Sequence, residues 1–216
     1  QPIVLLALGD DQHVVAAAAD GALTAWGTEG LAPSWQHAPQ DVQGTPPRAL
    51  AASQAGTVVF ATQQRAQLLE AGTGKLLAEL ELPEPPTAAA LGRQQLIMAF
   101  ASGVLRSYEV HAQRGGWQIE PAYDLQGLAQ PAVAVALAEA SHALYAAGGE
   151  PALRRWFAPS LSPRLVLADR PAPVQAVALN AQGTRLAVAE GAEVGLYDTA
   201  EGRALARCAG HDGTVW

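Results

Sequence analysis

Short apolar runs separated by tight turns recur along the whole chain. The clearest set lies in residues 173–216, where apolar and polar positions alternate in four runs, residues 174–179, 185–189, 194–198 and 204–208. Glycine stands in the turns between them, at Gly183, Gly191 and Gly202. Short alternating runs bounded by such turns are typical of β-strands. This stretch therefore predicts four strands, and residues 213–216 resemble the start of another first strand.

The same four-run pattern recurs upstream. One residue of the third run can be matched in every copy: Trp26, Leu69, Tyr108, Trp156 and Tyr197. These residues are 43, 39, 48 and 41 positions apart, and propeller blades repeat every 40 to 45 residues or so, roughly the same period. We predict an all-β chain of about five four-stranded antiparallel blades. The expected blade boundaries are 1–43, 44–84, 85–129, 130–171 and 172–212, with 213–216 opening a further blade.

Local signals support these strands. Residues 70–74 align without a gap on residues 198–202, with an acid first and glycine last, which predicts the same turn at both places. Alanine-rich stretches such as residues 16–19 are interpreted as strand, because they are short and flanked by turns. The third copy is expected to make a longer excursion through Arg114-Gly115-Gly116. Prolines mark the joints between copies, at Pro46, Pro47, Pro83, Pro85, Pro86, Pro131, Pro171 and Pro173.

The last copy resembles a WD40 repeat. It has a Gly-His pair at Gly210-His211, and Tyr197-Asp198 stands where the family most often has Trp-Asp. Trp26 and Trp156 take the corresponding place in two other copies. The resemblance implies a single β-propeller domain over residues 1–216. It also implies a buried hydrogen-bonded set around the Gly-His histidine; because no other copy keeps that pair, the other blades are expected to hold together by packing alone.

Propellers of the WD40 family most often have seven blades. The resemblance therefore leaves two alternatives, an unusual closure of five blades or a chain that is most of a larger ring, and we favour the larger ring. In that case a further segment, another chain or another domain would complete the ring. The sequence shows no initiator methionine and no signal peptide. We therefore expect a processed product or a fragment, and its compartment stays open between cytoplasm and periplasm.

Composition excludes some classes of partner. The 216 residues carry a net charge of -7, and Lys75 is the single lysine, so a nucleic-acid surface is not expected. No apolar run approaches the roughly 18 residues of a membrane span. Cys208 is alone, which leaves no internal disulfide, and we expect a packed or half-packed thiol in a strand.

No motif in the sequence predicts catalysis, a metal site or a cofactor. Residues 72–75, Gly-Thr-Gly-Lys, lack the spacing and the following Ser or Thr of a phosphate loop, so a hairpin turn is expected there. None of the five histidines has the local spacing of a zinc site, and no nucleophile elbow is present. One arginine of the Arg154-Arg155 pair is expected at a blade interface, paired with a carboxylate.

The resemblance implies a non-enzymatic scaffold that binds a protein or peptide. In WD40 proteins the binding face is often formed by the loops that join second to third strands and fourth to first strands. On this chain the predicted binding face has mixed charge and consists of Asp20, Gln64, Arg65, Glu84, Glu150, Arg170 and Glu190. The alternative is a quinoprotein-like or periplasmic redox or cofactor-binding propeller subunit, because similar turns occur in those families.

Overall fold

The computed structural model describes residues 2–8, 12–30, 32–38, 46–125, 128–149, 152–157, 160–167, 172–180 and 182–215. Within these ranges, twenty β-strands form five sheets of four strands each. The one helical element among the described residues is a 3-10 turn at Glu139–Ser141.

Each sheet consists of four strands that are consecutive in the chain, and we call these sheets blades 1 to 5. Blade 1 comprises β1 (Ile3–Leu8), β2 (His13–Ala18), β3 (Leu23–Gly27) and β4 (Pro33–His37). Blade 2 comprises β5 (Ala49–Ala52), β6 (Thr57–Ala61), β7 (Arg65–Glu70) and β8 (Leu76–Glu81). Blade 3 comprises β9 (Pro86–Leu91), β10 (Gln95–Phe100), β11 (Leu105–Gln113) and β12 (Gly116–Leu125).

The last two blades follow the same order. Blade 4 comprises β13 (Ala132–Ala138), β14 (Ala143–Gly148), β15 (Leu153–Phe157) and β16 (Ser160–Leu167). Blade 5 comprises β17 (Val174–Leu179), β18 (Arg185–Glu190), β19 (Glu193–Asp198) and β20 (Ala204–Cys208). Every blade runs up and down in chain order. The predicted fold class, an all-β β-propeller of four-stranded antiparallel blades with five in this chain, is confirmed.

The local signals are largely confirmed as well. The alanine-rich residues 16–18 lie in β2 and not in a helix. Pro46 and Pro47 precede β5, and Pro131 precedes β13. Prolines inside strands fall in edge strands of the blades, at Pro33 in β4, Pro86 at the start of β9, Pro121 in β12 and Pro163 in β16. A residue without an N–H group is tolerated there because an edge strand needs no second partner.

The chain forms two compact units, Gln1–Met98 with Ser107–Tyr123 and Ala99–Arg106 with Asp124–Trp216. In the first unit, Ala17 and Leu23 of blade 1 pack against Phe60 and Leu69 of blade 2. In the second unit, the core is shared by blades 4 and 5, where Tyr145 lies in the same apolar cluster as other buried side chains: Leu153, Leu186, Val188 and Tyr197. Alternation places these residues on one face of each strand.

The turn expected at two places is present at both. Between β7 and β8, the Gly74 amide donates to the Glu70 carbonyl oxygen at 2.8 Å. Between β19 and β20, the Gly202 amide donates to the Asp198 carbonyl oxygen at 2.9 Å. Both glycines have positive φ, 72° and 68°, a conformation that side chains disfavour. The Gly-Thr-Gly-Lys segment is thus a hairpin turn, as predicted.

The expectation that the blades hold together by packing alone is wrong. The Trp35 indole Nε1 in blade 1 donates to the Ala71 carbonyl oxygen in blade 2 at 2.6 Å. His37 Nε2 lies 2.8 Å from the Gly74 carbonyl oxygen of the same turn. In the second unit, Arg155 Nη1 of blade 4 donates to the Thr199 carbonyl oxygen of blade 5 at 2.6 Å. Carbonyl groups in the turns between third and fourth strands therefore accept hydrogen bonds from the neighbouring blade, and the pattern of apolar residues does not predict these bonds.

Three further expectations need comment. Arg155 lies at a blade interface and donates to a backbone carbonyl there, while a carboxylate partner for the Arg154-Arg155 pair stays a prediction. The longer excursion expected through residues 114–116 takes the form of a long hairpin, because β11 and β12 continue as far as this turn. Cys208 lies in β20, as expected, but it is exposed and not packed.

Residues 209–215 contain no strand. The Val215 amide donates to the Gly191 carbonyl oxygen at 2.7 Å, at the turn between β18 and β19. Trp216 lies outside the described residues.

Candidate functional site

The candidate site is a cleft of about 510 Å³ at one end of blade 2. Its walls are the turn between β6 and β7 and the segment that follows β8. We call it the Arg65 cleft, and it is lined by Thr62, Gln63, Gln64, Arg65, Glu81, Leu82, Pro83, Glu84 and Pro85. These are a second-to-third and a fourth-to-first strand connection, the two kinds of loop on which the predicted binding face was placed.

Backbone hydrogen bonds hold the two walls together. The Thr62 amide donates to the Arg65 carbonyl oxygen at 2.8 Å, which closes the turn between β6 and β7. The Leu82 amide then donates to the Gln64 carbonyl oxygen, also at 2.8 Å. Leu82 and Thr62 are buried beneath the cleft. Pro83 and Pro85 are exposed, and their rings fix φ, so this wall is stiff before any partner arrives.

Charge in the cleft is mixed, and acidic groups outnumber basic ones. Arg65 lies opposite Glu81 in the β7–β8 register. Its Nη1 is 3.7 Å from Glu79 Oε1, and the two side chains are 35% and 40% exposed. The same Glu79 oxygen accepts a shorter bond, 2.8 Å, from Gln67 Nε2. The Arg65–Glu79 contact is therefore loose, and an exposed pair of this kind contributes about 0 to 1 kcal/mol.

Gln64, Arg65 and Glu84 are the three predicted face residues that the structure brings together. Asp20 lies in the turn between β2 and β3, where its Oδ1 accepts from the Ala22 amide at 3.1 Å. Glu190 is the last residue of β18 and is only 6% exposed. Glu150 and Arg170 lie outside the described residues.

The three aromatic residues of the predicted repeat motif lie at equivalent places in their blades. Trp26, Trp156 and Tyr197 lie in third strands, and Trp156 is 1% exposed. Asp198 ends β19, where its Oδ1 accepts from the Ala200 and Glu201 amides at 2.9 and 3.2 Å. The pKa of Asp198 is lowered, mainly by the Glu201 amide and further by the Ala200 amide and Arg185. Gly210 and His211 are exposed and follow β20.

A second carboxylate in the chain is held by an arginine. Asp124 at the end of β12 accepts from Arg106 Nε at 2.5 Å and from Arg106 Nη2 at 2.7 Å. This two-point bond lowers the pKa of Asp124. The pair lies in blade 3, whereas the Arg65 cleft lies in blade 2. We therefore assign the pair a structural role.

The described residues contain no group of three or more His, Cys, Asp or Glu side chains placed to hold a metal ion. In the same part of the chain, no helix has the length and apolar character needed to cross a membrane.

Sequence reasoning missed much of the cleft wall. Thr62, Glu81 and the proline pair Pro83 and Pro85 belong to it, yet the prolines were interpreted only as boundary markers. The signal was present, because a Pro-Glu-Pro segment one residue after a strand fixes the backbone of the loop that follows the strand. The blade-joining donors Trp35 and His37 carried no comparable signal.

No family model matches the chain, and no curated protein matches it. Among solved structures, 1538 chains match, as expected of a widely used fold. One of them is a chain in a crystal structure of the mitotic checkpoint complex, with a TM-score of 0.73 and 16% identity. The match covers 94% of this chain and 64% of that chain. At this identity the likeness shows the β-propeller fold alone, and the chain spans less than two thirds of its neighbour's length.

Proposed function

We propose that this chain is a non-enzymatic, WD40-like scaffold that binds a protein or peptide through the Arg65 cleft. The observation that carries the proposal is that Gln64, Arg65 and Glu84, separated by up to 20 positions in the sequence, line one cavity of about 510 Å³. The solved neighbour comes from the structure of a complex, which agrees with a general interaction role.

The chemistry of the cleft suits an extended peptide. Arg65 offers several N–H donors, while Gln63, Gln64 and Glu81 supply acceptors around it. Pro83 and Pro85 add rigid apolar surface, so little conformational freedom is lost there on binding. Polar groups that fix orientation beside a stiff apolar wall are what a peptide needs from its binding site.

Selection from a displayed peptide library tests this proposal. Peptides enriched on the native chain are measured against a triple variant, Gln64→Ala, Arg65→Ala and Glu84→Ala. We expect at least a tenfold loss of affinity, since one good contact contributes about 1.4 kcal/mol or tenfold. The matched control changes three exposed residues of the same types outside the cleft, Gln118→Ala, Arg203→Ala and Glu201→Ala. Peptides that bind both variants equally well would show that this cleft is not the recognition site.

We further propose that another chain or domain completes the ring and covers the side of blade 1 that faces away from blade 2. Leu6 and Leu8 alternate onto one face of β1 and are 67% and 66% exposed. The opposite face of the strand packs against blade 2 through Leu5. Exposed apolar sheet surface of this kind marks an interaction site.

Size-exclusion chromatography tests the covering of blade 1. The isolated chain is expected to elute as associated species, and Leu6→Ser with Leu8→Ser is expected to shift it toward the monomer. The pair Ala204→Ser and Ala206→Ser in the exposed strand β20 is the control. A native chain that stays monomeric at high concentration would contradict an uncovered apolar face.

A further inference from the structure

A second cleft, of about 540 Å³, lies in blade 3 and is separate from the Arg65 cleft. It is formed by the turn before β10, by one face of β11 and by the end of β12. We call it the Ser107 cleft, and it is lined by Gln94, Gln95, Ser107, Glu109, Val110, His111, Ala122 and Tyr123. Six of these eight side chains are polar, which distinguishes the cleft from the alanine-rich and valine-rich blade interiors.

One glutamine organises the floor of this cleft. Gln95 Nε2 donates to Ser107 Oγ and to the Tyr123 hydroxyl, both at 2.9 Å. An amide nitrogen has two hydrogens, so both are used. Ser107 and Tyr123 each accept a bond and keep their own proton as a donor. No described residue accepts a hydrogen bond from either hydroxyl.

The buried position of Ser107 makes this arrangement costly without a ligand. Ser107 is 1% exposed, and a buried hydroxyl whose proton has no acceptor destabilises the folded state. The two hydroxyls share one donor and therefore lie close together. A single carbonyl oxygen, which has two lone pairs, is the group that accepts from both.

A carboxylate lies beside this pair of donors. Ser107, Glu109 and His111 alternate onto the same face of β11. Glu109 is exposed, and it has no hydrogen bond or ion pair within the described residues. His111 Nε2 is already within 2.7 Å of Gln113 Nε2. Glu109 is therefore the negatively charged side chain that a ligand in this cleft would meet.

We infer that the Ser107 cleft binds a peptide segment that carries a lysine or arginine. A main-chain carbonyl of the segment accepts from the Ser107 and Tyr123 hydroxyls, and the cationic side chain pairs with Glu109. The two contacts differ in kind: the hydroxyls recognise any peptide backbone, while Glu109 selects for positive charge. This site rests on its own observations and does not depend on the Arg65 cleft.

Protein-observed NMR titration of the full chain tests the inference with three short probes. These are acetyl-Ala-Lys-Ala-amide and two analogues in which norleucine or glutamate replaces the lysine. We expect saturable shifts at the backbone amides of residues 107–111 and of Tyr123, strongest for the lysine probe and weakest for the glutamate probe. Added salt is expected to weaken the lysine probe only.

Two variants separate the two contacts. Glu109→Gln is expected to weaken the lysine probe about fivefold, the size of one exposed charge pair, and to leave the norleucine probe unchanged. Tyr123→Phe is expected to weaken both probes by a similar factor, because it removes a donor to the backbone. Glu79→Gln, which changes the carboxylate beside Arg65 in blade 2, is the control and should change the affinity of neither probe.

The inference is overturned by an absence of saturable shifts at these residues, by equal affinity for the lysine and glutamate probes, or by a Glu109→Gln variant that binds the lysine probe as the native chain does. Tyr123 is half-buried at the cleft rim, so Tyr123→Phe is expected to fold. Ser107 is left unchanged, because a substitution at this buried residue would affect folding as well as binding.

Discussion

The turn between β7 and β8 and the turn between β19 and β20 have one backbone and two sets of side chains. In each, the glycine amide closes the turn onto the first residue, with N–O distances of 2.8 Å at Gly74 and 2.9 Å at Gly202. The first side chain then acts differently. Asp198 accepts from backbone amides of its own turn, whereas Glu70 accepts from the Thr73 hydroxyl.

The preceding blade also contacts these turns in two ways. The second residue of each turn provides the acceptor, the carbonyl of Ala71 or of Thr199. An indole from β4 reaches the first, and a guanidinium from β15 reaches the second. Because the turn fixes the carbonyl in space, any donor of sufficient length can bind it. The two turns therefore need only glycine in common, at the position where φ is positive.

The largest expected effect is at the shared glycine. Gly74→Ala puts a side chain at φ 72°, and its Cβ would lie 2.7 Å from atoms of both Trp35 and His37. We expect the free energy of unfolding to fall by about 3 kcal/mol, the sum of left-handed strain and overpacking. Gly202→Ala has the strain at φ 68° and is expected to lose about 1 kcal/mol. Urea unfolding of both variants measures the difference, and equal losses would mean that the Trp35 and His37 contacts do not constrain the turn.

Removal of the guanidinium comes next. Arg155 donates to Thr199 and stacks on Phe157, with 4.3 Å from its Cζ to the ring centroid. Arg155→Ala is expected to lower the free energy of unfolding by about 2 kcal/mol, from a charged hydrogen bond and a cation–π contact. The loss is limited because Arg155 Nε is buried with no partner among the described residues. Arg203→Ala, at an exposed arginine beside the same turn, is the control. An equally large loss there would show that the contacts of Arg155 with Thr199 and Phe157 do not stabilise the blade interface.

Removal of the indole donor should cost less. Trp35→Phe keeps an aromatic ring in the apolar cluster and removes only the bond from Nε1 to the Ala71 carbonyl. We expect a loss of about 1 kcal/mol in the free energy of unfolding. Trp117→Phe is the matched control, since the indole of Trp117 has no hydrogen bond within the described part of the chain. If the two tryptophan variants unfold alike, the contact with Ala71 does not stabilise the joint.

The difference between the two turns also shows where prediction from sequence ends. Alternation and glycine turns predicted nearly every strand, because a strand's two faces and a turn's φ are local properties. They predicted the turn at residues 70–74 from the turn at residues 198–202 with only glycine in common. They missed the hydrogen bonds that Trp35, His37 and Arg155 make between blades, because these bonds end on carbonyls, which every residue has.

The candidate site was predicted in part for the same reason. The binding face stays a prediction, but Gln64, Arg65 and Glu84 line one cleft because blade order brings their two loops together. The selection of loop residues by charge also included Glu190, which the fold buries. The Ser107 cleft was missed because one glutamine bonded to two hydroxyls is a tertiary arrangement with no sequence pattern.

The smallest expected effect concerns Asp198, whose carboxylate accepts hydrogen bonds from amides of its own turn. The pKa of Asp198 is below its ordinary value, mainly because of the Glu201 amide. A lowered pKa in the folded state adds stability above the unfolded pKa, and this contribution is lost as the pH falls below about 4. Asp198→Asn keeps an oxygen acceptor and removes the charge. In thermal unfolding, the difference in midpoint temperature between the native chain and Asp198→Asn should become smaller as the pH falls from 6 to 3.

Arg185→Gln removes a lesser cause of the lowered pKa. In a chain that carries Arg185→Gln, the difference in midpoint temperature caused by Asp198→Asn at pH 6 should therefore be only slightly smaller. A difference that is constant with pH would mean that the charge of Asp198 contributes nothing to its turn.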